Sequence, residues 1–128
     1  MIGIDTNVLL RTLINENQIQ SHKALKLIQQ QQPIYISNIV LCETMWVLKS
    51  RYHFTKLELI KSIENILKTN HFHIEHRDAV WLAFHEYQYI NADFSDCVIG
   101  AVAKLYQCDF VATFDKNASK SKNFKLIR

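Results

Sequence analysis

Four places in this chain put an acid where the surrounding hydrophobic pattern has no evident use for charge. Asp5 closes the apolar run of residues 1–4. A carboxylate at the end of a buried strand is costly unless it is paired or metal-bound, although aspartate there is also a favoured N-cap for a helix opening at Thr6. Glu43, placed on a helix, has Ile39, Val40, Trp46 and Val47 at its i−4, i−3, i+3 and i+4 positions. A surface glutamate belongs on the polar side of a helix, so Glu43 reads as a functional carboxylate, with a buried ion pair as the alternative. Asp93 and Asp96 are three apart at the opening of a helix, which turns them towards one side. Acids in a first turn also complement the helix dipole. Asp115 follows the apolar run 110–114 and lies just past a strand end, a position that equally suits a turn residue.

The combination says more than any single acid. Two carboxylates ~6 Å apart repel by about 3 kcal/mol at an effective dielectric of 20. Three or four of them need a cation to share a site, and the cation that suits oxygen donors is hard: Mg²⁺ or Mn²⁺. Such an ion activates water and neutralises charge on a phosphoryl group. The chain has neither a nucleophilic serine motif nor a Cys–His set to go with these acids, so phosphodiester hydrolysis fits better than acyl transfer.

The elements that must position these residues follow from apolar periodicity and cap signals. Short strands are expected over 1–4, 34–37, 72–75, 110–113 and 124–127. Helices are expected over 6–14, 19–31, 39–52, 55–69, 79–89 and 95–106. Asn38 stands at the N-cap position of the third helix, and Thr55-Lys56-Leu57-Glu58 has capping-box spacing for the fourth. Short apolar strands alternating with amphipathic helices predict an α/β sandwich around a mainly parallel sheet. Ligands of such sheets gather at the carboxyl ends of strands, which is where Asp5 and Asp115 fall.

With 128 residues, two glycines, one proline and no internal repeat, the chain reads as one domain over 1–128. The glutamine run 29–32 before Pro33 reads as a polar helix end and a turn. Hydrophobic residues make up 48% and charged residues 21%, which excludes whole-chain disorder. The net charge of +3 permits a polyanionic partner without requiring one. Cys42, Cys97 and Cys108 are odd in number and form no C-x-x-C pair, so neither a disulfide framework nor a thiolate zinc site is expected. A reducing cytoplasm suits them. No apolar run approaches the ~18 residues of a membrane span, and residues 1–5 do not read as a signal peptide.

Ile2-Gly3-Ile4-Asp5-Thr6-Asn7 resembles the opening strand and D-x-N signature of PIN domains. Glu43, in Ser37-Asn38-Ile39-Val40-Leu41-Cys42-Glu43, resembles the second acid of that family. Asp93-Phe94-Ser95-Asp96-Cys97-Val98-Ile99-Gly100-Ala101 is similar to its D-F-x-D-x-x-I-A segment, and Thr113-Phe114-Asp115-Lys116 to its T-F-D-K segment. The short chain looks like the VapC-type toxins of type II toxin–antitoxin pairs. This resemblance implies a PIN-like three-layer sandwich and a Mg²⁺- or Mn²⁺-dependent endoribonuclease acting on RNA. It implies Asp5, Glu43, Asp96 and Asp115 as catalytic, metal-binding acids, and Asp93 as an accessory group. Thr6, Asn7 and Thr113 would orient the carboxylates by hydrogen bonds. It also implies a cognate antitoxin protein as partner and a homodimer. Gly100 departs from the alanine common at that position in the family.

Other signals weigh less. His71, His73 and His76 lie close together, but no cysteine or carboxylate spacing completes a transition-metal site, and exposed histidines are expected. Lys116, Lys120, Lys122, Lys125 and Arg128 form a basic segment that suits either RNA phosphates or solvent. Trp46 and Trp81 read as core or interface. A haloacid-dehalogenase-like phosphotransferase would need a second aspartate where Asn7 stands, and a receiver domain would need one near residues 50–60. The remaining alternative is a non-catalytic binding module on the same fold. Which RNA is cut leaves no short motif.

Overall fold

In the computed structural model, which describes residues 1–128, the first apolar run yields a two-residue strand, β1 (Ile2–Gly3), before the chain turns into α1 (Thr6–Leu13). Asp5 starts that helix: its Oδ1 accepts a hydrogen bond from the Val8 amide at 3.0 Å. Asn17 caps α2 (Gln18–Gln30) in the same way. Strand β2 (Ile34–Ile36) leads into α3 (Asn38–Ser50), then come α4 (Lys56–Leu67) and strand β3 (Phe72–Ile74). The capping box expected at Thr55 and Glu58 is present in both of its halves. The N-cap of α3 is Ser37, not Asn38: the Ser37 hydroxyl accepts from the Val40 amide at 3.2 Å, and Asn38 is the first helical residue. Two good capping residues stand side by side there, and the helix begins one residue early.

The three strands form a parallel sheet in the order β1-β2-β3, with Ile2 opposite Ile34 and Ile34 opposite Phe72. Its middle strand is dry, Ile34 and Ile36 being fully buried. Helices α1 and α3 both start at carboxyl ends of these neighbouring strands, so their first turns lie side by side. Helix α3 buries Leu41, Thr44, Met45 and Leu48, an i, i+3, i+4, i+7 stripe. Of the two settings read for Trp46, core or interface, that choice removes the core, since Trp46 is 66% exposed, and it leaves Glu43 and Ile39 on the exposed side. Helix α3 is apolar over most of its circumference, so hydrophobicity alone does not select the buried face.

These elements make up one of two compact units, Met1–Glu75; the second is His76–Arg128. The second unit opens with α5 (Arg77–Tyr87) and α6 (Phe94–Leu105), packed through buried Val80, Ala83, Phe84, Cys97, Val98 and Ala101. Tyr87 meets Phe94 edge to face, with ring centroids 5.7 Å apart. Strands β4 (Val111–Thr113) and β5 (Phe124–Leu126) pair in parallel, joined through a single 3₁₀ turn, Ala118–Lys120. Glu86 on α5 anchors that connection. Its Oε1 accepts from the Ser121 hydroxyl at 2.8 Å and its Oε2 from the Lys122 amide at 3.0 Å. Gly100, buried on α6, is explained by close approach: a Cβ there would lie 2.9 Å from both Asn123 Cβ and Phe124 Cε1.

The α/β class is as expected, and every strand pair is parallel, although in a three-stranded and a two-stranded sheet. Helix α5 starts at Arg77 rather than at residue 79. It follows His76 in left-handed backbone (φ 50°) with no side-chain cap, so no cap signal marks its start.

Candidate acidic active site

Each unit gathers its own acids. In Met1–Glu75, Asp5 sits at the β1–α1 junction and Glu43 in the second turn of α3. The Thr6 hydroxyl donates to Glu43 Oε1, which ties the first turn of α1 to α3. A hollow of about 320 Å³ opens beside this bond, with Asp5, Thr6, Asn7, Glu43 and Arg51 among its walls. Val40 and Val47 supply apolar wall on either side of Glu43. Of the four apolar neighbours read around Glu43, Val40 and Val47 therefore line this hollow, while Ile39 and Trp46 are exposed. Arg51 was not anticipated. Its signal was available: residues 43, 47 and 51 are successive i+4 steps, which keeps them on one side of α3.

In His76–Arg128, Asp93 is the N-cap residue of α6 and Asp96 stands in its first turn. Burial pushes the Asp96 carboxyl above the usual aspartate range, and the charges of Asp93 and Asp115 push it further. A hydrogen bond from the Asp93 backbone works in the opposite direction, stabilising the carboxylate. Two acids thus bear on one half-buried carboxyl. Beside them, the Tyr87 phenol is pushed up to about 12, first by burial and then by the charges of Asp93 and Cys97, so it stays protonated at neutral pH. Nothing in the local sequence singles out Tyr87, which in a helix reads as an ordinary apolar-face aromatic.

Asp115 follows β4 and is held by its own turn. Its amide donates to Thr113 Oγ1 at 3.0 Å, and its Oδ1 accepts from the amides of Asn117 (2.8 Å) and Ala118 (3.2 Å). The turn function weighed for Asp115 is real, and so is the N-cap function of Asp5. Neither excludes chemistry, because a carboxylate fixed by one oxygen is also an oriented one.

Within the units, Thr6 links to Glu43, Asn7 lines their hollow, and the charges of Asp93 and Asp115 bear on Asp96. No three His, Cys, Asp or Glu side chains stand at metal-ligand spacing, the histidines 71, 73 and 76 included. The donors available are all hard oxygens. In kind they fit a small divalent cation, and one placed near Asp96 would offset the burial and the neighbouring charges that raise its proton affinity.

A family model, that of the PIN domain, matches residues 2–123. No curated protein matches the chain. No helix is long and apolar enough to cross a membrane.

Proposed function

The chain belongs to the PIN-domain family, and from that premise we propose that it is a Mg²⁺- or Mn²⁺-dependent endoribonuclease, the toxin component of a toxin–antitoxin pair. The observation that carries the reading is the Asp96 carboxyl, half-buried and held against the charges of Asp93 and Asp115. A fold stabilised only by packing gains nothing from crowding like charges. An enzyme that needs a divalent cation does, since the cation's binding energy grows with the repulsion it removes.

In this reading Asp5, Glu43, Asp96 and Asp115 are the metal-binding, catalytic acids and Asp93 assists them. The metal, when bound, supplies an activated water and charge neutralisation at the scissile phosphate. The residues of the chain do the positioning. The Thr6 hydroxyl fixes one oxygen of Glu43, Thr113 fixes the turn that carries Asp115, and the α1 cap fixes Asp5. Asn7 stands at the wall of the Asp5–Glu43 hollow, where it can hydrogen-bond substrate. We further propose residues 1–128 as one functional nuclease module, acting in the cytoplasm as a homodimer and silenced by an antitoxin protein. The three cysteines, none of them in a disulfide, agree with that compartment.

The test is incubation of wild-type and Asp5→Asn protein with a transfer RNA pool in Mg²⁺, Mn²⁺ or EDTA. The expected result is cleavage that needs metal and is lost in the variant. A second reading, a non-catalytic binding module, is favoured by the hydrogen bonds that already occupy Asp5 and Asp115. Calorimetry separates the two: absence of a carboxylate-dependent divalent-metal site would sink the nuclease mechanism and favour the module.

A further inference from the structure

The basic C-terminal segment has a structural counterpart that the acids do not use. Eight residues beyond Asp96, about 12 Å along the axis of α6, Lys104 stands in the last turn of the helix. Between that turn and the strand connections lies a hollow of about 170 Å³, with Gly100, Lys104, Asp109, Phe110, Lys122 and Asn123 among its walls. This is room for one base or phosphate rather than for a drug-sized ligand. The missing side chain of Gly100 helps bring Asn123 close to the helix. Phe110 is half-exposed, and Lys125 Nζ lies 5.1 Å from its ring centroid. Asp109 is the one acid on the wall, against two lysines, and residues 116–128 hold five cations and no acid.

We propose that this hollow is a nucleotide subsite for single-stranded RNA, in which Phe110 stacks a base while Lys104, Lys122 and Lys125 hold the flanking phosphates. It rests on the ribonuclease reading above and extends it to a site remote from the acids. An aromatic ring interleaved with cations is the pairing that single strands select, because every base has a π-face and every linkage a charge. The lysines discriminate for a polyanion, and the ring discriminates for one that carries bases. A mononucleotide offers one phosphate to this tract. A strand offers several, which is why the exposed lysines 116, 120 and 122 favour RNA over a free nucleotide.

The experiment is fluorescence anisotropy with a labelled single-stranded 12-mer RNA in EDTA, in an Asp5→Asn background so that nothing is cut. Phe110→Leu keeps an apolar residue at the position and removes the stacking face; the expected weakening is about 10-fold. Lys122→Gln, at an exposed position, is expected to lower the slope of log affinity against log salt by about 0.7, the counterion release of one single-strand phosphate. Thermal melts confirm folding of both variants. Unchanged affinity and slope in both would overturn the subsite. Polyglutamate of equal charge competing as well as RNA would also overturn it, in favour of an acidic protein partner. Metal-dependent cleavage by wild-type protein is measured in parallel. Cleavage with no effect of Phe110→Leu or Lys122→Gln sinks the subsite and leaves the nuclease standing. Weakened binding without any cleavage by the wild type supports the subsite and sinks the nuclease reading.

Discussion

Replacing Gly100 with alanine sets two effects of opposite sign against each other. In a helix interior alanine is worth about 1 kcal/mol over glycine. Against this, the new Cβ would sit 2.9 Å from Asn123 Cβ and from Phe124 Cε1, and 3.3 Å from Phe124 Cδ1. Overpacking of this kind costs typically 1–3 kcal/mol. The surroundings argue for the upper part of that range. Asn123 Cβ is attached directly to backbone, and that backbone is held: the Asn123 carbonyl accepts from the Val111 amide at 2.8 Å, and its amide donates to Ser121 Oγ at 3.3 Å. Moving Asn123 away therefore loosens the start of the β4–β5 pairing. The net expectation is a loss of about 1–2 kcal/mol, or roughly 4–8 °C in melting temperature for a domain of this size. Urea unfolding followed by circular dichroism measures it, with an unchanged m-value as the sign that the native state is intact. Asn123→Gly, which removes one of the opposing atoms, should recover part of the loss in the double variant. A Gly100→Ala protein as stable as the wild type, or more stable, would refute the argument, because it would mean the strand yields and helix propensity wins.

Thr6→Val removes the hydroxyl that holds Glu43 while keeping the shape of the side chain. Metal affinity measured by calorimetry should fall about 10-fold or more, with a smaller change in stability. Thr55→Ala breaks the capping box of α4 and should cost about 1 kcal/mol in urea unfolding, leaving the RNA cleavage rate per folded molecule unchanged. Asp96→Asn should stabilise the metal-free protein at neutral pH. A carboxyl whose folded pKa is raised contributes stability that is fully present below its unfolded pKa and is lost as pH rises through the folded one. The penalty on the wild type therefore grows as pH rises through the folded pKa, and the asparagine variant carries none. Melts in EDTA should show the variant's advantage shrinking as pH falls towards the unfolded aspartate range, and saturating Mg²⁺ should raise the wild type more than the variant. An advantage independent of pH would separate it from the charge crowding at this position.

What the sequence made legible depended on how locally each signal is written. The capping box at Thr55 and Glu58 needs four consecutive residues and is present as expected. The neighbourhood of Asp93 and Asp96 follows from a three-residue offset on one helix. The β1–α1 junction at Asp5 follows from an apolar run meeting a cap. Signals that require knowing which side of an element faces inward were weaker. Around α3, apolar residues at 39–42 and 45–48 fit several buried stripes, and only packing against the sheet selected Leu41, Thr44, Met45 and Leu48. The core reading of Trp46 fails for that reason, and of the apolar neighbours on which Glu43 was singled out, Val40 and Val47 line a cavity. Signals that join distant segments were not legible at all. Nothing near Gly100 announces Asn123 and Phe124, and nothing near Glu86 announces Ser121 and Lys122. The acids divide along the same line. Their local scaffolding, a cap at Asp5 and a closed turn at Asp115, was readable as structure. The raised proton affinity of Asp96 was not, because it depends on burial and on Asp115, nineteen positions away. The residue whose state depends most on long-range placement is thus the one whose titration most directly reports the charge crowding on which the proposed chemistry depends.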